Sequence, residues 1–81
     1  MIELNDKYIY KGMDLTADIN AQIHRVVEMI AAQEHISYDE AFRLFSKSHT
    51  YWCLTTPATV MWSESDGFIV DEFYREQNKS N

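Results

Sequence analysis

The residues of this chain that could do chemistry are three histidines and one cysteine. His49 and Cys53 have a spacing that puts both side chains on one face of a helix, where imidazole and thiolate can bind zinc. His24 and Glu28 form a second pair at the same spacing, and His35 lies further along the chain. A stable zinc site needs a third and a fourth ligand, and no CxxC, HxxxH or HExxH arrangement supplies them. We therefore expect no metal site.

Catalysis by Cys53 would require groups that the sequence does not offer. A thiol nucleophile needs a histidine base, an orienting group and an oxyanion hole, and only His49 is indicated by its proximity. Between Trp52 and Leu54, the cysteine is typical of a small buried hydrophobe. With only two glycines in the chain, a loop that cradles phosphate is excluded as well. We expect no catalytic residue, no cofactor and no enzymatic activity.

The composition is that of a small acidic domain with abundant core material. The 81 residues are 46% hydrophobic and 14% aromatic, which fits one domain without a linker or repeat. Thirteen acidic against seven basic residues give a net charge of −6, which disfavours nucleic acid and anionic lipid and favours a basic partner. No run approaches the roughly 18–20 apolar residues of a membrane span. The single cysteine and the acidic residues within positions 1–20 predict a cytoplasmic protein without an ordinary signal peptide.

The clearest helix start in the chain is at Ser37. Its side chain can cap the helix, and Glu40 can reach back to the Ser37 backbone N–H, so the two form a capping box. Asp39 and Glu40 also place negative charge at the positive end of the helix dipole. The apolar residues that follow are expected to form one buried face: Ala41, Phe42, Leu44 and Phe45.

Hydrophobic periodicity, caps and breakers predict a mostly α domain of three to four helices. The expected helices span 17–34, 38–46, 49–54 and 64–76, after an extended arm at 1–15 and before a frayed tail at 77–81. Helix 17–34 is the expected spine, because aliphatic residues recur along it at helical spacing: Ile19, Ile23, Val26 and Ile30. Pro57 ends the third helix, and Ser63 with Asp66 has the spacing of a cap for the last one.

The N-terminal arm contains a segment with strand character. Tyr8, Ile9 and Tyr10 precede Lys11 and Gly12, a pattern typical of a short extended stretch that runs into a turn. A lone strand leaves backbone groups unpaired. It must therefore pack on the domain, pair with a second copy of the chain, or stay mobile.

Large aromatic residues are more numerous than a core of this size can easily hide. Some of them flank the proline turn, and the last helix adds an acidic edge. Aromatic side chains left partly exposed beside acidic ones are typical of a protein-binding surface. The predicted partner-binding residues are Tyr51, Trp52, Trp62, Asp71, Glu72 and Glu76.

The run from Ile36 to Glu76 resembles a small bacterial domain-of-unknown-function family of short acidic helical proteins. Three stretches carry the resemblance: the capped helix Ile-Ser-Tyr-Asp-Glu-Ala-Phe-Arg-Leu-Phe, the segment Ser-His-Thr-Tyr-Trp-Cys-Leu, and the acidic-aromatic Phe-Ile-Val-Asp-Glu-Phe. Members of such families are often encoded beside a predicted toxin or in mobile-element clusters. The resemblance therefore implies an antitoxin-like or accessory role, and it supplies no catalytic residues.

These observations lead us to expect a non-enzymatic module that binds a protein partner, such as an antitoxin or an inhibitor that covers a basic site. We also expect a symmetric homodimer, with the arm or the Trp52–Trp62 region at its interface.

The alternative is a small DNA-binding regulator of helix-turn-helix type. Helix 38–46, the Ser46–His49 connection and the next short helix would form the motif, with Arg43 and Lys47 facing phosphates. The charge balance argues against this alternative, because DNA-binding domains of this size normally carry a basic footprint.

Overall fold

The computed structural model describes residues 8–79. In that range a two-stranded antiparallel hairpin precedes four α-helices, and two short 3-10 turns separate the third helix from the last. The elements are β1 Ile9–Tyr10, β2 Met13–Asp14, α1 Thr16–Glu34, α2 Tyr38–Ser46, α3 His49–Leu54, the 3-10 turns Pro57–Thr59 and Met61–Ser63, and α4 Asp66–Lys79. The predicted mostly α class with a short N-terminal extended segment is confirmed.

Helix α1 supplies the largest share of the core. Its predicted aliphatic stripe is buried, together with Val27 on its border. The other helices bring apolar side chains against this stripe: Ala41 and Phe45 from α2, Leu54 from α3, and Ile69, Val70 and Phe73 from α4. Each of these helices is amphipathic, and burial of its apolar face is the main force that holds it in place.

Helices α1 and α4 run parallel to each other. Hydrogen bonds join α1 to α4 and to the segment just before α4. The bonded residues are 40 to 42 positions apart in the sequence in each case, and so constant a separation requires that the two helices run in the same direction. The bonds run from the Gln22 amide to the carbonyls of Trp62 (3.1 Å) and Glu64 (3.0 Å), from Arg25 Nε to Asp66 Oδ2 (2.6 Å), and from the Tyr74 hydroxyl to Glu34 Oε2 (2.7 Å).

The predicted capping box at the start of α2 is present. The Glu40 N–H donates to Ser37 Oγ at 3.1 Å, and the Ser37 N–H donates to Glu40 Oε1 at 3.2 Å. Helix α1 ends in the turn before it, where His35 adopts the left-handed conformation with φ 57° and its N–H donates to the Ala31 carbonyl.

The start of α4 differs from the prediction. The cap is Ser65, whose Oγ accepts the Phe68 N–H at 3.1 Å, and not Ser63. Ser63 lies in a 3-10 turn and donates its hydroxyl to the Val60 carbonyl. Glu64 between them is extended, with φ −88° and ψ 163°, so the helix cannot begin at residue 64.

The end of α4 also differs from the prediction. The helix continues to Lys79, so residues 77–79 are helical where a frayed tail was predicted. Neither glycine nor proline interrupts this stretch, and Gln77 lines a depression together with Leu44 and Tyr74. The last two residues of the predicted tail lie outside the described residues.

The described part of the N-terminal arm folds back on itself as a hairpin. Lys11 and Gly12 both have positive φ, 49° and 82°, which is the conformation of a tight hairpin turn that twists with its strands. Below the turn, the Leu15 N–H donates to the Tyr8 carbonyl at 2.7 Å. The predicted strand therefore pairs with its own continuation. Residues 1–7 of the arm lie outside the described range.

No helix within residues 8–79 combines the length and the apolar character needed to cross a membrane.

Candidate protein-binding surface

Helices α2 and α3 expose large aromatic rings on one side of the molecule. Trp52 has 55% of its surface exposed, and Tyr38 and Phe42 are also exposed although each has a large apolar ring. Tyr51 is half-buried between them. With the two histidines that touch these rings, the six residues define what we term the aromatic surface: His24, Tyr38, Phe42, Tyr51, Trp52 and His49.

Ring contacts connect the aromatic surface across three helices. The ring centroids lie 5.3 Å apart for His24 and Tyr38, 6.2 Å apart for Phe42 and Tyr51, and 5.5 Å apart for His49 and Trp52. Tyr38 and Phe42 have the spacing that places side chains on one face of α2, and Tyr51 is followed directly by Trp52 in α3. These contacts form three ring pairs, one between α1 and α2, one between α2 and α3, and one within α3.

The orientation of α3 explains why its tryptophan faces solvent. The buried side of this helix is formed by Thr50 and Leu54, and helical periodicity places Trp52 on the opposite side. Tyr51 lies on the flank next to α2, where its ring meets Phe45 edge-on with centroids 5.5 Å apart. This contact with a buried ring fixes the middle of the aromatic surface.

A carboxylate lies at the α1 end of the aromatic surface. His24 Nδ1 is 3.2 Å from the Tyr38 hydroxyl, and His24 Nε2 is 3.2 Å from Glu28 Oε2. The imidazole that could have been a metal ligand thus connects a phenol to a carboxylate. This end presents negative charge beside an exposed ring.

A second carboxylate, that of Glu76, lies at the α3 end. Glu76 Oε2 accepts the His49 N–H at 2.7 Å, and Oε1 accepts the N–H of Thr50 at 2.9 Å. Burial raises the pKa of this carboxyl, but the bonds from His49 and Thr50, with the nearby imidazole, outweigh it and lower the pKa below its ordinary value. Glu76 is therefore ionised and caps α3.

Cys53 lies next to this cap and is half-buried. Burial, followed by the negative charge of Glu76, raises the pKa of its thiol, which disfavours the thiolate that a nucleophile or zinc ligand requires. The imidazole of His49 is stacked on Trp52. Within the part of the chain that the structure describes, no three histidine, cysteine or acidic side chains are grouped so that they could hold a metal ion.

The structure separates the two tryptophans that were predicted to act together. Trp52 belongs to the aromatic surface with Tyr51, whereas Trp62 packs against the N-terminal hairpin, its ring centroid 6.0 Å from that of Tyr10. Its indole N–H donates to the Pro57 carbonyl at 2.9 Å. Trp62 is half-buried and packs against the hydrophobic core.

The predicted acidic residues also have different environments. Glu76 caps α3, as described above. Glu72 is paired with Arg75 on the same helix. Asp71 lines a depression of about 390 Å³ between α1 and α4, beside Met29 and Val70. Only Glu76 borders the aromatic surface through a described contact.

Sequence reasoning placed Phe42 in the core and gave Tyr38 no role, yet both belong to the aromatic surface. The signal was present in the spacing, because a face centred on Ala41 and Phe45 cannot also contain residues on both flanks of the helix. Phe42 lies on one flank and Leu44, also exposed, lies on the other. The expectation that all the apolar residues of α2 share one buried face is therefore wrong.

No protein-family model, curated protein or solved structure matches this chain. The resemblance of the run from Ile36 to Glu76 to a small bacterial family stays a prediction. Its quoted stretches include both the capping box and the rings of α3, which are features of packing and surface.

Proposed function

We propose that this protein is a non-enzymatic interaction module that binds a basic protein partner through the aromatic surface and acts as an inhibitory or antitoxin-like accessory protein in the cytoplasm. The observation that supports the proposal is the set of ring pairs on α1, α2 and α3, in which Tyr38, Phe42 and Trp52 are exposed. Tyrosine and tryptophan are enriched at the energetic centres of protein interfaces. Leaving these rings exposed gives the isolated domain no stability, and a partner that covered them would remove them from water.

The charges around these rings favour a cationic partner. The exposed faces of Trp52 and Tyr38 can attract lysine and arginine side chains through cation–π contacts. Glu28 and Glu76 place carboxylates at the two ends of the surface. The net charge of −6 also attracts a basic protein over a longer range and speeds its association. A partner with a cationic functional site would be inhibited when this surface covered that site.

The test begins with purification of the tagged chain from its source cells and identification of a stoichiometric partner, with the product of the neighbouring gene as the first candidate. The purified partner is then titrated against the chain and two variants. Trp52→Ala is expected to weaken binding by about tenfold or more, as removal of an interface anchor does. Phe68→Ala is the matched control, because Phe68 is an exposed aromatic residue on α4. Equal binding by Trp52→Ala and the unchanged chain would refute the proposal.

The DNA-binding alternative is tested by titrating the same chain with duplex DNA. A helix-turn-helix protein would place α3 in the major groove, but α3 is a six-residue helix, His-Thr-Tyr-Trp-Cys-Leu, without lysine or arginine. Specific binding to duplex DNA that strengthens steeply as salt is lowered would support the regulator, because phosphate contacts release counterions.

A further inference from the structure

A second surface lies on the flank of α2 opposite Phe42. Leu44 is 46% exposed there and forms a wall shared by two depressions. The first depression, of about 290 Å³, is lined by Ile36, Glu40, Arg43, Leu44 and Lys47. The second, of about 210 Å³, is lined by Glu34, Leu44, Phe73, Tyr74 and Gln77. We term the two depressions together the Leu44 groove.

The first depression combines an apolar floor with unpaired positive charge. Arg25 and Arg75 are held by carboxylates, whereas Arg43 and Lys47 form no ion pair within residues 8–79. The one acidic residue of this depression, Glu40, is engaged in the capping box with Ser37. Two cations thus face solvent beside Ile36 and Leu44 in a chain whose net charge is −6.

Among the described residues, the second depression has one charged lining residue, Glu34, and no cation. Its floor includes Phe73, which is buried, and its wall is Leu44. The carboxylate of Glu34 accepts the hydroxyl hydrogen of Tyr74 at 2.7 Å. Burial, and then this bond, raises the pKa of Tyr74 to about 12, so the phenol is neutral at physiological pH. This end of the groove suits an apolar side chain.

We propose that the Leu44 groove binds a short acidic amphipathic helix of a second protein partner, with one apolar side chain in each depression and carboxylates paired with Arg43 and Lys47. Side chains one helical turn apart are about 5–6 Å from each other, so a helix can present two neighbouring apolar side chains on one face. An amphipathic helix laid in a groove is a common mode of peptide recognition. The charge of this occupant is opposite to that of the partner proposed for the aromatic surface. The chain would then carry two faces for two different ligands.

The groove favours a protein segment over nucleic acid. Phosphates would pair with Arg43 and Lys47 but would gain nothing from Ile36 and Leu44. An acidic amphipathic helix uses both the cations and the apolar floor.

The test uses three labelled synthetic peptides of about fifteen residues, long enough to form a helix when bound. The first carries two leucines one turn apart flanked by glutamates on an alanine background. The second replaces the glutamates with lysines, and the third replaces the leucines with alanines. Fluorescence anisotropy with the full chain measures binding of each peptide. Only the first is expected to bind appreciably.

Variants of the full chain locate the binding. Arg43→Glu and Lys47→Glu should each weaken binding of the acidic peptide by about tenfold, as loss and reversal of an interface charge does. Leu44→Ala should weaken it as well. Lys79→Glu is the matched charge reversal at a residue that does not line the groove, and Trp52→Ala is the control for the aromatic surface. Both should bind like the unchanged chain, so this proposal and the proposed function can fail independently.

Several results would overturn the inference. These are absence of binding at the highest soluble peptide concentration, equal binding of the lysine peptide, and binding unaffected by Arg43→Glu or Lys47→Glu. Displacement of the acidic peptide by duplex DNA, with DNA binding lost in the same variants, would assign the groove to phosphate instead. Circular dichroism shows whether each variant is folded. If a charge reversal unfolds the chain, Arg43→Gln and Lys47→Gln take its place in the same measurement.

Discussion

Glu76 Oε1 accepts hydrogen bonds from both the backbone N–H and the hydroxyl of Thr50, at 2.9 and 2.8 Å. The two residues are 26 positions apart, so a side chain of the last helix completes the cap of the third, whose N-cap is Ser48. The other oxygen of the same carboxylate binds the N–H of His49, whose ring is stacked on Trp52. The carboxylate therefore fixes the position of His49 and Trp52 at the α3 end of the aromatic surface.

Replacing Glu76 with glutamine should lower the free energy of unfolding at neutral pH by about 1–2 kcal/mol, because the charged acceptor of a helix cap is lost. The folded state lowers the pKa of this carboxyl, so its contribution is fully present above the pKa of the unfolded chain. That contribution disappears as the pH falls through the lower pKa of the folded protein. Urea unfolding at neutral and at acidic pH measures both effects.

Glu72→Gln is the matched control for this prediction. Glu72 lies one turn earlier on α4, and its carboxylate pairs with Arg75 near the surface. Its replacement should change the free energy of unfolding by no more than about 0.5 kcal/mol. A stability difference between Glu76→Gln and the unchanged chain that persists undiminished at acidic pH would contradict the assigned role.

The start of α4 can be assigned by two serine variants. Ser65→Ala should cost about 1 kcal/mol of stability, because Ser65 Oγ accepts the Phe68 N–H and caps the helix. Ser63→Ala should cost less, since its hydroxyl donates only to the Val60 carbonyl at an exposed turn. Thermal and urea unfolding followed by circular dichroism give the comparison. The reverse order of effects would place the cap at Ser63.

The two tryptophans should differ in their effect on stability. Trp52→Ala is expected to change the free energy of unfolding by less than about 0.5 kcal/mol, because the ring is mostly exposed. Trp62→Ala should cost about 2–3 kcal/mol, since it removes the contact with Tyr10 and the bond to Pro57. Urea unfolding of both variants measures the contrast. A large loss of unfolding free energy in Trp52→Ala would mean that this ring contributes to the stability of the fold.

Val60 provides a way to stabilise the chain. It has φ 54°, a left-handed conformation that costs a residue with a Cβ atom about 1–2 kcal/mol. Its side chain is 42% exposed and contributes little packing. Val60→Asn should raise the free energy of unfolding by about 1 kcal/mol, because asparagine tolerates this conformation. The control is Val60→Ala, which should gain less because alanine lacks the polar side chain with which asparagine can form local hydrogen bonds in this conformation. A lower stability of Val60→Asn would show that the valine side chain is needed.

Self-association is the fifth prediction. A symmetric dimer would cover the aromatic surface with a second copy, in competition with the proposed basic partner, and Trp52→Ala should then weaken the dimer by more than about 1 kcal/mol. Deletion of the first twelve residues is a poor test, because it would remove Tyr10 from the contact with Trp62. Ile9→Ser is the better probe of the hairpin, since this side chain is exposed. Sedimentation of the unchanged chain as a 9.6 kDa monomer at high micromolar concentration would exclude the dimer.

Features that depend on neighbouring residues were predictable from the sequence. The spine helix follows from aliphatic spacing, and the start of α2 follows from Ser37 and Glu40, because capping and periodicity act within a few residues. The start of α4 was not predictable in the same way. The backbone before this helix is left-handed at Val60 and extended at Glu64. A left-handed conformation is rare for a β-branched residue, so the sequence does not predict it.

The candidate surface could be predicted only in part. Trp52 and Tyr51 were identified from composition, but whether a ring faces a partner or the core depends on how the helices pack. Trp62 is held by Tyr10, a residue far away in the sequence, and Glu76 is held by Thr50 in the same way. Such long-range contacts cannot be inferred from the spacing of neighbouring residues in the sequence.

The parallel arrangement of α1 and α4 has a consequence for the order in which the chain can fold during synthesis. The side-chain and backbone bonds of α1 to the C-terminal region span 40 to 42 residues, so they raise the contact order of a small helical domain. While the chain is being made, α1 and α2 can pair early, but the apolar face of α1 stays partly uncovered until α4 has left the ribosome. Chains released before that point should be sensitive to proteases and prone to aggregation.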